Sequence, residues 1–185
     1  EGQFTLTNRG KYATCLQEVF SLPFAEAIDN NVFKNITPKI LVSVLSCFTN
    51  LKLSDENSVY SIKHLNESDQ IITQMERLYN KYTDIHDINK LTIVETHDFH
   101  LNLVELTLKW CDASDELECK QILKECIKYD ISLGDFVKAI LKINNIANEL
   151  EKAATIKEDL ELLHKLKLVK DLTLKYCVSN QSLYL

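Results

Sequence analysis

The sequence predicts an all-α fold, a multi-helix bundle with two long C-terminal helices. Its 185 residues include only three glycines and two prolines, and sheet-rich domains need these residues at their many turns. Several segments carry apolar residues at helical spacing, and a 45% hydrophobic composition is enough for one buried core. No segment approaches the roughly 18 consecutive apolar residues of a membrane span. We therefore expect one helical domain that does not enter a membrane.

Residues 1–10 are predicted to connect this domain to an upstream region, and residues 11–185 to form the bundle itself. The segment Glu1–Lys11 has neither an initiator Met nor the apolar stretch of a signal peptide, so we expect a longer parent protein. A first helix should begin near Lys11. A second has Pro23 just inside its start.

The clearest helix start in the N-terminal half is Thr37-Pro38, an N-cap followed by proline at the first helical position. The segment Ile40–Phe48 is apolar almost all round, which predicts a helix buried on most sides. Polar residues Lys52–Asn66 are predicted to form a surface loop. From Ser68 to about Tyr82 the apolar residues again follow helical spacing.

The C-terminal half is predicted to contain four helices after a loop at Asp84–Thr96. The first of them begins at Asp98. The other three span about Asp115–Lys128, Leu133–Lys152 and Lys157–Val178. The acidic pair Glu158-Asp159 would then lie in the first turn of the last helix, where it complements the helix dipole.

The sequence carries no motif of a catalytic, cofactor or metal site. It has no glycine-rich phosphate loop and no DExH box; the nearest string, Asp115-Glu116-Leu117-Glu118, lacks the final histidine. His97 and His100 are three residues apart but have no partner at zinc-site spacing. We therefore expect no ATPase activity and no cofactor in this chain.

The six cysteines form no CxxC pair, so the close spacing of a zinc site is missing. They are predicted to be reduced thiols of the core, in an intracellular, reducing compartment that could be cytoplasm or nucleus. A metal site and a disulfide are the alternatives. The net charge of −6 allows a local basic stripe but gives the chain as a whole no electrostatic attraction for nucleic acid.

One predicted helix carries a candidate binding face. Ser132 and Asp135 form a capping-box-like start, and an apolar stripe follows that should face the core: Phe136, Ile140, Ile143, Ala147 and Leu150. On the opposite face lie Lys138, Lys142, Asn145 and Glu149. The simplest interpretation is the solvated side of an amphipathic helix. The functional alternative is that Lys138 and Lys142 contact a nucleic-acid backbone.

The same helix is one of several sequence matches to a known family that together span nearly the whole chain. The string Leu133-Gly134-Asp135-Phe136-Val137-Lys138 resembles the signature helix of the DSH C-terminal (DSHCT) domain. This domain is the C-terminal part of superkiller-type and nuclear-exosome-type DExH RNA helicases. The other matches, in the same order along the chain, are Leu6-Thr7-Asn8-Arg9-Gly10, Phe33-Lys34-Asn35-Ile36-Thr37-Pro38, Leu45-Ser46-Cys47-Phe48, Leu103-Val104-Glu105 leading to Trp110, and Ser182-Leu183-Tyr184-Leu185.

The resemblance implies an accessory domain that packs on two RecA-like motor domains and lines the exit path of single-stranded RNA. Lys138, Lys142 and Asn145 would be its RNA-binding residues. ATP and Mg²⁺ would belong to the upstream motor, and the parent protein would be an ATP-dependent helicase of RNA processing or decay. An exosome-like or transcription-linked complex is a further expected partner.

The sequence departs from the family pattern at two places. Cys111-Asp112-Ala113 replaces the usual small or glycine residue after the tryptophan region, and Lys138 and Lys142 stand where relatives often have arginine. Lysine makes point-charge contacts with phosphate but no planar bidentate contacts with bases. The alternative function is a protein-interaction module that docks on a motor or exosome-like partner without touching RNA. A DNA helicase module is a weaker alternative.

Overall fold

The computed structural model of the protein describes residues 4–51, 67–89 and 99–178. This part of the chain is all α-helical, with no β-strand, which confirms the predicted fold class. Its helices are α1 (Asn8–Ala13), α2 (Ser21–Asp29), α3 (Pro38–Ser46), α4 (Glu67–Ile88), α5 (Val104–Asp112), α6 (Glu116–Lys128), α7 (Leu133–Lys157) and α8 (Leu160–Thr173).

Helix α3 lies at the centre of the bundle, as its apolar sequence predicts. It packs against α4, α5, α7 and α8, and Leu41, Val42 and Leu45 are fully buried. Thr37 caps its first turn by accepting a hydrogen bond from the Ile40 amide, with Pro38 directly after the cap. The β-branched residues of α3 lower its intrinsic helix propensity. Because the helix is packed on most sides, the burial of its side chains outweighs this cost.

An aromatic cluster joins the N-terminal helices to α4. The Phe48 ring lies 4.7 Å from the ring of Phe24 and 5.1 Å from that of Tyr79, measured between centroids. Phe99 also contacts Phe48, with the ring centroids 5.5 Å apart. Phe24 belongs to α2, Phe48 follows α3, Tyr79 belongs to α4 and Phe99 precedes α5. Apolar burial and edge contacts among the four rings therefore pack these elements against one another.

The long helices α7 and α8 pack against each other and against α3. A buried polar network ties them to α5. The side-chain amide of Asn144 donates to the carbonyl of Ile140 and to the hydroxyl of Thr173, both at 2.9 Å. The Trp110 indole donates to the carbonyl of Thr173 at 2.9 Å. Because these polar atoms are paired inside the bundle, they fix the register of three helices.

The first helix begins at Asn8, three residues before the predicted start near Lys11. The Thr7 side chain caps it by accepting from the Gly10 amide at 3.1 Å. Arg9 is held by ion pairs to Glu26 at 3.3 Å and to Asp29 at 2.7 Å. The division into a connector at 1–10 and a domain at 11–185 stays a prediction.

The predicted loop Lys52–Asn66 lies outside the described residues. The prediction of a loop from Asp84 was wrong for its first part, because α4 runs unbroken to Ile88; residues 90–96 are not among those described. The helix pattern of Ser68–Tyr82 is confirmed, and Ile72 and Met75 are fully buried.

Helix α5 begins at Val104, later than the predicted start at Asp98, which is itself outside the described residues. The preceding segment instead makes contacts with the segment that follows α3. The His100 amide donates to the carbonyl of Cys47 at 2.9 Å, and the Asn102 side chain donates to the carbonyl of Leu51 at 2.8 Å.

The boundary between the two long helices also differs from the prediction. Helix α7 continues to Lys157, and Glu158 ends it in the left-handed conformation, with φ of 61°. Asp159 is the N-cap of α8 and accepts from the Leu162 amide at 3.0 Å. The acidic pair therefore forms the junction between α7 and α8 and is not part of a first turn. Helix α8 ends at Thr173, short of the predicted Val178.

Candidate nucleic-acid interface

The start of α7 is fixed by the predicted cap. The Ser132 hydroxyl accepts from the Asp135 amide at 3.1 Å and donates to the Asp135 carboxylate at 2.7 Å. An amide of the first turn is therefore occupied and a carboxylate sits beside it. This end of the helix is therefore a poor site for an anion.

The rotation of α7 is fixed by its apolar stripe. The five predicted core residues are all 0–2% exposed, which confirms that face: Phe136, Ile140, Ile143, Ala147 and Leu150. At 3.6 residues per turn, Lys138 and Asn145 must then point away from the core. Both side chains are exposed.

The two candidate lysines differ in their surroundings. Lys138 is exposed, whereas Lys142 is half-buried at the edge of the face. Among the described residues, neither side chain has an ion pair or a hydrogen bond to the protein. The two ammonium groups, one helical turn apart, are therefore free to meet an external anion.

Asn145 and Glu149 are both engaged with the segment between α1 and α2. The Asn145 amide donates to the Glu18 carboxylate at 3.4 Å. The Glu149 carboxylate accepts from the backbone amides of Gln17 at 2.9 Å and Glu18 at 3.0 Å. Glu149 is thus a structural anchor, and two carboxylates interrupt the cationic character of the face at its middle.

Sequence reasoning missed the C-terminal half of this face. Asn148 and Lys152 are exposed, and Lys152 continues the line through Lys138 and Asn145 at steps of seven residues, which drift by only about 20°. The exposed line from Lys138 to Lys152 is about 21 Å long at 1.5 Å per residue. The seven-residue spacing was visible in the sequence, but the helix was predicted to end at Lys152.

A surface cavity of about 300 Å³ between α5 and α6 offers an alternative place for a ligand. The three acidic side chains at its wall are already paired: Glu125 binds Lys109 at 2.7 Å, Glu118 accepts from the Ser114 amide at 2.7 Å, and Asp112 pairs with Lys39. Glu125 and, next, Glu105 raise the pKa of Lys109 by hydrogen bonding to its ammonium. These pairings explain the charges at the wall as structural contacts.

The cysteines behave as core thiols. All six are free, and four are buried: Cys47, Cys111, Cys119 and Cys126. Burial raises the pKa of Cys111 and of Cys126 to about 12, so both remain protonated at neutral pH. In the described ranges no group of three or more His, Cys, Asp or Glu residues is placed to hold a metal ion. His97 lies outside those ranges.

The comparisons with known proteins assign the chain to a family. The family model described as the DSHCT (NUC185) domain matches residues 3–178, nearly the whole chain. The chain belongs to the DSHCT family, a domain found in DExH-type helicases. No curated protein matches it. Within the residues that the structure covers, no helix is long and apolar enough to cross a membrane.

Proposed function

We propose that the chain is the C-terminal accessory domain of an ATP-dependent DExH RNA helicase, and that α7 lines the path of single-stranded RNA. The observation that carries this proposal is the open face of α7, where Lys138 and Lys142 lack protein partners in the described part of the chain. Two lysines without protein partners, one turn apart on a helix of this family domain, fit contact with a phosphate backbone.

The surroundings of α7 support this proposal. If other helices of the bundle covered its polar face, no strand could reach that face, but Lys138 and Asn145 are exposed. Lys138, Lys142 and Lys152 are the proposed phosphate contacts, whereas Asn145 would have to release Glu18 before it could contact RNA.

The net charge of −6 limits what this domain does alone. Acidic surfaces repel RNA, so three lysines on one helix give weak binding in isolation. Under the proposal, the upstream RecA-like domains bind ATP and Mg²⁺, enclose the strand and supply most of the affinity. The domain packs on that motor and adds contacts along the exit path, in a helicase of RNA processing or decay.

The second candidate is an interaction module that docks on a motor or an exosome-like partner and never touches RNA. Glu18 and Glu149 beside the cationic face favour it, because they would repel a passing phosphate. The two functions differ in one respect: only the first makes RNA turnover depend on Lys138 and Lys142.

Replacing Lys138 and Lys142 by alanine in the parent helicase tests the choice. Unwinding of an RNA duplex should slow, while the circular dichroism of the domain stays unchanged. The matched control is Lys167→Ala with Lys170→Ala, which removes two exposed lysines from α8 and should leave unwinding as it was. Equal unwinding by both variants would support the interaction module instead.

A further inference from the structure

The outer side of α6 carries a second cationic surface, separate from the face of α7. Lys120, Lys124 and Lys128 lie there with two aliphatic side chains, Leu117 at 69% exposure and Ile127 at 67%. At 100° per residue all five fall within an arc of about 100°. We call these five residues the α6 ridge; Leu117 and Ile127 are about 15 Å apart along it.

The acidic residues of α6, all of which the structure describes, pair with only one lysine of the α6 ridge, Lys120. Glu118 caps Ser114 at 2.7 Å, Glu125 binds Lys109 at 2.7 Å, and Glu116 pairs with Lys120 at 2.5 Å. In the part of the chain that the structure describes, Lys124 and Lys128 have no ion pair. The ridge therefore keeps at least two uncompensated positive charges.

The exposed aliphatic residues and Lys124 contribute little to the fold itself. Leu117 and Ile127 are 69% and 67% exposed, so they add little apolar burial to the core. Lys128 lies in the last turn, where a cation complements the helix dipole, but Lys124 is a full turn earlier. Exposed aliphatic side chains beside unpaired cations are complementary to a partner that carries apolar residues and carboxylates on one face.

We infer that the α6 ridge docks an acidic amphipathic helix of a partner protein. The apolar side of such a helix would cover Leu117 and Ile127, and its carboxylates would meet Lys124 and Lys128. RNA fits this surface less well, because the aliphatic side chains of Leu117 and Ile127 offer no plane on which bases stack; the ring of Tyr176, beside the ridge, already has Lys120 over it, at 5.6 Å. Attraction must be local, since salt screens the chain's net negative charge beyond about 8 Å.

The probe for this inference is a synthetic helical peptide of about 15 residues, with leucine at every third or fourth position and glutamate on either side. Added to the full chain with labelled methyl groups, it should shift the NMR signals of Leu117 and Ile127. Ile156 and Leu160 are exposed aliphatic residues away from the ridge lysines, and their methyl signals should stay in place.

A charge reversal tests whether the lysines select the partner. Lys124→Glu with Lys128→Glu should weaken peptide binding about tenfold, whereas Lys167→Glu with Lys170→Glu on α8 should leave it unchanged. A peptide with glutamine in place of each glutamate should bind as weakly as the reversal variant does. Equal binding of both peptides, or no shift at Leu117 and Ile127, would overturn the inference.

The same variants separate this surface from the proposed RNA path. Lys138→Ala with Lys142→Ala should leave peptide binding intact, because those lysines lie on a different helix. If single-stranded RNA, and not the acidic peptide, shifts Leu117 and Ile127, the ridge binds nucleic acid and the inference fails. That outcome leaves the proposal for α7 standing, as does every result with the peptide.

Discussion

The indole Nε1 of Trp110 donates a hydrogen bond to the backbone carbonyl of Thr173, at 2.9 Å. The bond ties two ends of the bundle together, because it joins the last turn of α5 to the last residue of α8. Trp110 is fully buried, with its ring 5.1 Å from that of Phe136 on α7. The only tryptophan of the chain is therefore the point where three helices meet.

Trp110→Phe should destabilise the domain by about 1–3 kcal/mol, from the lost hydrogen bond and the smaller ring. The Thr173 carbonyl keeps one donor, the Lys175 amide at 3.2 Å, which limits the loss. Urea unfolding followed by circular dichroism measures the change. Tyr176→Phe alters an aromatic ring that is 43% exposed and should cost less than about 0.5 kcal/mol. Equal costs would place Trp110 outside the core.

Ile143→Ala should cost about 2–5 kcal/mol, because the side chain is fully buried in the apolar stripe of α7. The same unfolding assay gives the value. Lys138→Ala on the opposite face should change the free energy of unfolding by less than about 0.5 kcal/mol. If the alanine at Ile143 cost as little as the one at Lys138, α7 would be rotated from the orientation described here.

Glu149→Ala should loosen the segment between α1 and α2 without unfolding α7. The carboxylate is the acceptor for the amides of Gln17 and Glu18, and hydrogen bonds to a charged group contribute about 1.5–3 kcal/mol. Hydrogen exchange should therefore speed up at those two amides. The control is Glu151→Ala, which removes another carboxylate two residues further along α7. Unchanged protection at Gln17 and Glu18 would contradict the anchoring role.

Glu26 should give the domain part of its stability above about pH 4. Hydrogen bonds from Lys81 at 2.7 Å and Tyr82 at 2.6 Å, together with Arg9, hold the pKa of this buried carboxyl below its usual range. A lowered folded-state pKa stabilises the fold above the unfolded pKa, near 4.3, and the effect is lost as pH falls through the folded value.

Comparison with Glu26→Gln tests the sign of this dependence. The amide cannot ionise, so the variant should be less stable than the wild type at pH 7. This gap, the difference between the two free energies of unfolding, should narrow as pH falls below about 5. Free energies of unfolding measured between pH 7 and 3 give the gap directly. A difference that stays constant over this range would mean that the Glu26 carboxyl does not titrate with a lowered pKa.

Local signals decided which parts of the fold could be predicted from the sequence. Thr37-Pro38 and Ser132 with Asp135 are caps whose partners lie within three residues, and the apolar spacing of α7 fixed its buried face. The start of α5 was missed because the His100 amide bonds to Cys47, far away in the chain. The anchoring role of Glu149 depends on Gln17, which is 132 residues away, so no local sequence pattern predicts it.

The salt dependence of RNA affinity tests the central claim, that Lys138 and Lys142 contact the strand. Each lysine that neutralises a phosphate of single-stranded RNA adds about 0.7 to the slope of log affinity against log salt concentration. In the parent helicase, Lys138→Ala with Lys142→Ala should therefore flatten the slope by up to about 1.4, while Lys167→Ala with Lys170→Ala leaves it unchanged. An identical slope for all three proteins would contradict RNA binding by this face of α7.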